Sequence, residues 1–208
     1  MNILFVSAEV APYSKAGGLA DVAGSLPQAI APYVKSIHVL TPLYGQIDQI
    51  KHDIQPTSIK GAITLGDDII PYSLHQTTDS DGYTKIGFIK CEQFFGRDGI
   101  YTESDGEGFA DNNLRYFYFQ LVVLDLISRG SLEVDILHCN DHHTGLLPVM
   151  LKAMKLNVKT IFTIHNFLYH GHFSPEEASF LPESTSTYLT KTQWDNYSAL
   201  LEGIDHSD

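Results

Sequence analysis

Cysteine and long apolar runs are nearly absent from this sequence, and basic residues are outnumbered. The two cysteines in 208 residues, Cys91 and Cys139, offer no disulfide framework and lack the paired Cys-x-x-Cys spacing of a zinc site. No apolar stretch approaches the ~20 residues that a helix needs to span a bilayer. The first apolar run, Ile3-Leu4-Phe5-Val6, is too short for the core of an export signal. Against 25 Asp and Glu stand 13 Lys and Arg, a formal charge of −12. That balance repels a nucleic-acid backbone and an anionic membrane, so neither is expected as a partner. These absences predict a soluble cytoplasmic protein with inert, buried thiols. There is no internal repeat and no low-complexity segment.

Histidine, by contrast, occurs ten times. His142, His143, His165, His170 and His172 beside Asp141 invite a metal reading, but no His-Glu-x-x-His pattern occurs. No metal and no cofactor are expected. As neighbours, His142 and His143 are expected to face different sides of a turn. A hydrophobic fraction of 43% with 18% charged residues is that of a globular chain with a real core, sized for one large domain or one and a half.

Strand and helix signals alternate at both ends of the chain. Ile3-Leu4-Phe5-Val6 reads as a buried strand, and Leu19, Val22, Ala23, Leu26 and Ile30 recur at helical spacing behind it. Further strands are expected at 36–40, 134–139 and 159–164, with helices over 114–127, capped by Asp111 and stopped at Gly130, and over 144–155. Shorter helices are expected from Pro175 and over 194–201. Between 57 and 91 the pattern becomes short and alternating, with Asp81-Gly82 between two runs as a hairpin turn. The fold expected is α/β: a Rossmann-like parallel sheet flanked by helices, with an antiparallel excursion at its edge. The aromatics Tyr116, Phe117, Tyr118 and Phe119 are consecutive on a helix and therefore point in different directions, which predicts packing rather than a sugar platform.

In such a sheet ligands bind beyond the carboxyl ends of the strands. Three loops there carry unusual residues. The first, Ser14-Lys15-Ala16-Gly17-Gly18-Leu19-Ala20-Asp21-Val22, joins glycines, a cation and a helix start. It is either an anion cradle, with Lys15 on a phosphate, or a plain strand-to-helix turn. The second is Asn140-Asp141-His142-His143-Thr144-Gly145, where Asp141 either meets a sugar or caps the next helix. The third is His165-Asn166, in which a lone histidine has a structural reading of its own.

The wording of these segments carries more than their spacing. Ser7-Ala8-Glu9-Val10-Ala11-Pro12 through Lys15-Ala16-Gly17-Gly18-Leu19-Ala20-Asp21-Val22 to Gly24-Ser25-Leu26-Pro27 resembles the N-terminus of bacterial glycogen synthases and plant starch synthases. So do Asn140-Asp141-His142-His143-Thr144-Gly145-Leu146-Leu147-Pro148 and Thr163-Ile164-His165-Asn166 followed by Tyr169-His170-Gly171. Phe94-Phe95-Gly96-Arg97-Asp98-Gly99-Ile100-Tyr101 resembles a further loop of that family, with Asp111-Asn112 and Arg115-Tyr116 after it. The departures are His142 for a tryptophan, His170 for a glutamine and Gly96 for an aspartate. In blocks, the resemblance extends from Asn2 to about Phe173.

This resemblance implies the N-terminal half of a two-domain GT-B glycosyltransferase that retains configuration. Glucose would pass from ADP-glucose, or UDP-glucose, to the non-reducing end of an α-1,4-glucan. Asp141 and His165 inherit the catalytic roles; Lys15, Gly17, Gly18, Asp21, Asn166 and Tyr101 inherit substrate binding, Tyr101 with an equal claim to bracing its loop. Residues 1–208 are expected to stop before the first domain ends, without the nucleotide-binding second domain, and to be inactive alone. Two other classes compete: a glucan-binding or regulatory module without transferase activity, and a metal-dependent hydrolase built on the histidines.

Overall fold

The computed structural model describes every residue except Ser80. Its strands are β1 (Asn2–Val6), β2 (Ser36–Pro42), β3 (Gln55–Leu65), β4 (Asp68–Thr78), β5 (Lys85–Lys90), β6 (Ile136–Asn140), β7 (Lys159–Thr163), β8 (His172–Phe173) and β9 (Tyr197–Ser198). The helices are α1 (Gly18–Ile30), α2 (Glu92–Phe95), α3 (Asn112–Ser128), α4 (Leu147–Ala153), α5 (Pro175–Ala178), α6 (Glu183–Ser186) and α7 (Ala199–His206). Seven strands form one sheet in the order β3-β4-β5-β2-β1-β6-β7, and β8 pairs with β9 apart from it.

The expected α/β sheet is present, with one change at its edge. β1 lies between β2 and β6 and is parallel to both, which fits a continuous apolar run buried on both faces. β5 is also parallel to its neighbour β2, so it belongs to the body of the sheet. Ile86, Gly87, Phe88 and Ile89 are all buried, as an interior strand requires. The antiparallel excursion is therefore β3 and β4 alone, and β4 is the strand that runs against the rest. Asp81 accepts from the main-chain N–H groups of Tyr83 and Thr84 in the turn before β5, and Gly82 supplies a φ of +72°. Ser80, within that expected turn, lies outside the described residues.

α3 is covered nearly all round: every residue from Arg115 to Leu124 is buried, the four consecutive aromatics among them. It stops as expected, with Gly130 at a φ of +66°. Its first turn differs from expectation. Asp111 does not cap the helix with its side chain; the carboxylate pairs instead with Arg97 at 2.5 Å and 2.8 Å. The helix expected over 144–155 is a 3-10 turn, His142–Thr144, followed by α4. The helix expected over 194–201 begins later, at Ala199, where Ser198 caps it by accepting from the Leu201 N–H. Trp194 is left in a turn, next to Asp195 with its φ of +60°.

α7 is seated close against the β6 loop, since a Cβ on Gly145 would lie 2.0 Å from the Ala199 carbonyl oxygen. It also carries a buried acid. Glu202 accepts from the Thr190 N–H at 2.7 Å and stands 3.2 Å from His206 Nε2 without hydrogen-bond alignment. Burial pushes its carboxyl up to about 7, with Asp205 adding to the rise and the Thr190 N–H opposing it. The folded state thus holds a proton that the unfolded chain releases near the ordinary value, and stability falls as pH rises from about 4.5 to 7. Replacing Glu202 by Gln is expected to flatten that slope, measured as urea midpoints across the range. An unchanged slope would remove Glu202 as its source.

Candidate active site

The carboxyl ends of β1, β6 and β7 lie side by side, at the point where the chain's strand order reverses from one side of β1 to the other. A cavity of about 820 Å³ opens there. Gly17, Gly18, Tyr101, Asp141, His165 and Asn166 all line it, so six of the expected site residues converge. Lys15 and Asp21 lie outside the lining. They form an exposed ion pair with each other, Lys15 Nζ standing 2.7 Å from Asp21 Oδ1.

The glycine loop is built by its own main chain. Val10 and Ser14 exchange hydrogen bonds, and the Ala11 N–H reaches the Ala20 carbonyl, tying the loop to α1. Gly24 permits this approach, because a Cβ there would sit 2.4 Å from the Ala11 oxygen. The loop does form an anion cradle, and a residue of the chain fills it. Glu9 Oε2 accepts from the N–H groups of Ala16 and Gly17 at 2.5 Å and 2.8 Å. Its other oxygen accepts from the Tyr101 hydroxyl at 2.6 Å. Glu9 is buried and lines the cavity. Burial pushes the Tyr101 phenol well up, with the nearby Tyr116, Tyr44 and Glu9 adding to the rise, so Tyr101 stays a neutral donor.

At the end of β6 two consecutive side chains bind neighbouring strand ends. Asn140 Nδ2 donates to the Val6 carbonyl at the end of β1, and its Oδ1 stands 2.9 Å from His165 Nε2. Because the Asn140 oxygen accepts, Nε2 of His165 is the donor of that pair. Asp141 accepts from the main-chain N–H groups of His165 and Asn166 at 2.7 Å and 3.2 Å. It therefore holds the β7 loop and does not cap the following helical turn with its side chain. Burial raises the Asp141 carboxyl, while those two donors pull it back. Its backbone sits at φ 56°, ψ 179°, a region that side chains rarely occupy.

The remaining walls come from residues that sequence reasoning did not single out as site residues. Asn112, Asn113, Tyr116, Phe117 and Gln120 of α3 close one side, with Thr102 and Gly108 above them. Their helical spacing reads as core, and only the fold turns one end of α3 toward the strand ends. Glu9 had a signal: an acid in an apolar segment just past a strand end. His142 and His143 do not face apart. Their rings are 3.7 Å centre to centre, and His143 stacks on Tyr101 at 4.9 Å. Burial pushes His142 down to about 4 and holds His143 well below the ordinary imidazole value, with the neighbouring His142 and Arg115 adding to the fall. Among the described residues, no group of three or more His, Cys, Asp or Glu is placed to hold a metal ion. Nor, among the described residues, is any helix long and apolar enough to cross a membrane.

A mixed α/β sheet with a carboxylate-lined cleft at its switch point is the ligand-binding arrangement of the open α/β class. The chain belongs to the starch synthase catalytic-domain family, whose family model matches residues 2–208. It is 35% identical to a glycogen synthase of Flavobacterium johnsoniae over 94% of this chain and 41% of that protein. Against a glycogen synthase of Anaeromyxobacter it is 37% identical, covering the whole chain and 44% of the relative. The fold matches the catalytic domain of starch synthase IV from Arabidopsis thaliana, solved with ADP and acarbose, at a TM-score of 0.85 and 23% identity. That match takes in 99% of this chain and 43% of the other. The chain thus spans well under half the length of these relatives.

The Asp141 backbone makes a separable prediction. Asp141→Gly and Asp141→Ala both delete the carboxylate, but only glycine accepts this φ and ψ freely. The glycine variant is expected to be the more stable by about 1–2 kcal/mol in denaturant unfolding. Equal stability would show that the site holds no backbone strain.

Proposed function

We propose that this chain is the N-terminal part of a retaining two-domain glucosyltransferase that extends an α-1,4-glucan from ADP-glucose, UDP-glucose being the alternative donor. One observation carries the reading: six residues assigned to the site from the sequence line a single cavity at the strand ends. In this reading Asp141 and the His165 ring hold the donor glucose with its anomeric carbon turned to the acceptor. As the bond to the diphosphate breaks, positive charge grows on the sugar, and the carboxylates of Asp141 and Glu9 form a fixed negative wall beside it.

Negative charge grows on the departing diphosphate, and no Lys or Arg is among the described residues that line the cavity. Lys15 supplies one cation by exchanging Asp21 for phosphate. An exposed pair of this kind is worth only ~0–1 kcal/mol, so the exchange costs little. Gly18 and Leu19, at the start of α1, line the same space, and a helix start favours an anion. The other cations come from the second domain, and residues 1–208 alone are inactive.

The test is transfer by the full-length parent, assayed with ADP-glucose, UDP-glucose and glycogen. Asp141→Asn and His165→Ala are each expected to lower kcat/KM at least ~100-fold, and Lys15→Ala to raise the donor KM. Glucan binding by a parent that transfers from neither donor would support the binding-module alternative. Transfer by the isolated 208 residues would overturn the two-domain division of labour.

A further inference from the structure

The loop over residues 96–111 carries Tyr101 to the cavity, and a buried cation behind the wall grips its neck. Arg115, on α3, is fully buried and is not among the residues that line the cavity. Its hydrogen-bond partners are carbonyl-type oxygens rather than carboxylates. Nε donates to the Phe94 carbonyl at 2.8 Å, and Nη1 donates to the Ile100 carbonyl at 2.9 Å and to Asn112 Oδ1 at 2.7 Å. The guanidinium stands 4.4 Å from the centre of the Phe109 ring, and the Arg97 guanidinium stands 5.2 Å from the same ring. Both lie within cation–π reach. Arg97 also pairs with Asp111, which closes the two ends of the loop on each other.

A buried charge is costly unless its surroundings answer it, and an apolar side chain would fill such a place without that cost. What the guanidinium adds is direction. Its planar fork reaches three separate points of the chain, at residues 94, 100 and 112, in one fixed geometry. An ammonium on a flexible stem has no such fork.

Those bonds bracket Tyr101. The Ile100 carbonyl, one peptide before the ring, also accepts from the Tyr116 hydroxyl at 3.2 Å. The Tyr101 carbonyl, one peptide after it, accepts from Asn112 Nδ2 at 2.8 Å and from the Phe109 N–H at 3.1 Å. Asn112 thus accepts from Arg115 with one amide atom and donates to Tyr101 with the other. With both flanking peptides held, the Tyr101 side chain leaves the loop in one direction, and its hydroxyl meets Glu9 Oε1 at 2.6 Å. Residues 102–108 beyond it are exposed, so the grip is on the neck of the loop and not on its tip.

We propose that Arg115, with Asn112 as its intermediary, is a positioning residue for glucosyl transfer: it sets the Tyr101 hydroxyl on Glu9 and so fixes the wall that the donor meets. The proposal rests on the transferase reading above. Small displacements of a positioning group are costly in rate or affinity, so a buried residue that touches no substrate still moves the kinetics.

The experiment uses the full-length protein with Arg115→Lys, Tyr101→Phe, the two combined, and Asn112→Ala alone and with Tyr101→Phe. Three quantities are read: kcat and KM for ADP-glucose, the Tm, and the rate at which a glutamyl endopeptidase cuts the loop at Glu103 and Glu107. Arg115→Lys keeps the charge and loses the fork, and is expected to raise the donor KM about tenfold. In the Tyr101→Phe background it is expected to add less than about twofold, because the contact it acts through is already gone. Asn112→Ala is expected to show the same non-additivity at a smaller change, and both variants to be cut faster. If Arg115→Lys does not fold, the Asn112 pair decides by the same criterion. Effects that multiply fully would overturn the proposal, as would unchanged kinetic constants. So would a loss that follows a lowered Tm and vanishes in assays well below it, which would leave Arg115 a stabilising residue only. A wild-type protein that transfers from neither donor would defeat the transferase reading instead. Proteolysis would then decide the grip by itself, an unchanged cutting rate overturning it and a faster one supporting it.

Discussion

The adjacent side chains Asn140 and Asp141 turn three separate strand ends into one rim. β1, β6 and β7 are joined along their length by sheet hydrogen bonds, but those bonds stop where the strands stop. Beyond that point Asn140 reaches sideways to Val6 and to the His165 ring, and Asp141 collects two N–H groups of the β7 loop. The Asp141 N–H donates to the Thr163 carbonyl, closing the same junction from the main chain. The positive φ at Asp141 follows from this. The chain has to bend sharply enough for the side chain after the strand to face the next strand, and the hydrogen bonds made there hold it in a region that costs of order 1–3 kcal/mol.

The glycine loop is organised by a different carboxylate with the same economy. Glu9 satisfies two N–H groups of the loop and fixes the Tyr101 hydroxyl, so the loop holds its shape from within. Tyr101 in turn is stacked on His143, which burial keeps neutral, and His143 lies against His142. The β1 loop, the 94–111 loop and the β6 loop therefore support one another across the cavity wall through a carboxylate, a phenol and two uncharged rings. His142, in the place where the related motif has tryptophan, still acts as a flat ring in that wall. It is packed so tightly that a Cβ on Gly171 would come within 2.6 Å of it.

What was legible in the sequence was whatever depends on a local pattern or a contiguous motif. Ile3-Leu4-Phe5-Val6 fixed a central strand, Leu19 through Ile30 fixed α1, and the rim loops were placed because a parallel sheet has a defined ligand edge. What was not legible depends on long-range closure. β5 looked like half of a hairpin, and it is, but its other edge pairs with β2, a partner about forty-five residues earlier in the chain. Asp111 had the residue type of a helix cap, yet a nearby guanidinium outcompeted the helix N-terminus for it. Lys15 had the type of a phosphate ligand, and Asp21 six residues on holds its ammonium. For β5 and Asp111 the residue type was read correctly and its partner was not, because the partner is chosen by the fold. For Lys15 the fold adds a carboxylate partner that the sequence reading did not pair with it.

The distribution of charge follows the same logic and bears on the chemistry directly. The cavity carries two carboxyl groups, Glu9 and Asp141, the His142 and His143 rings that burial keeps neutral, and phenols, but no Lys or Arg among its described lining residues. A wall of that sign favours positive charge and disfavours a diphosphate placed against it. A sugar nucleotide carries both needs in one molecule, a glucose that becomes cationic in transit and a diphosphate that is anionic throughout. In the proposed reaction the buried, fixed groups of this chain answer the first need, and Lys15 with the start of α1 answers part of the second. In the proposed reaction the two needs are divided between two domains across a cleft, so that the complete electrostatic field exists only when both domains close on the donor.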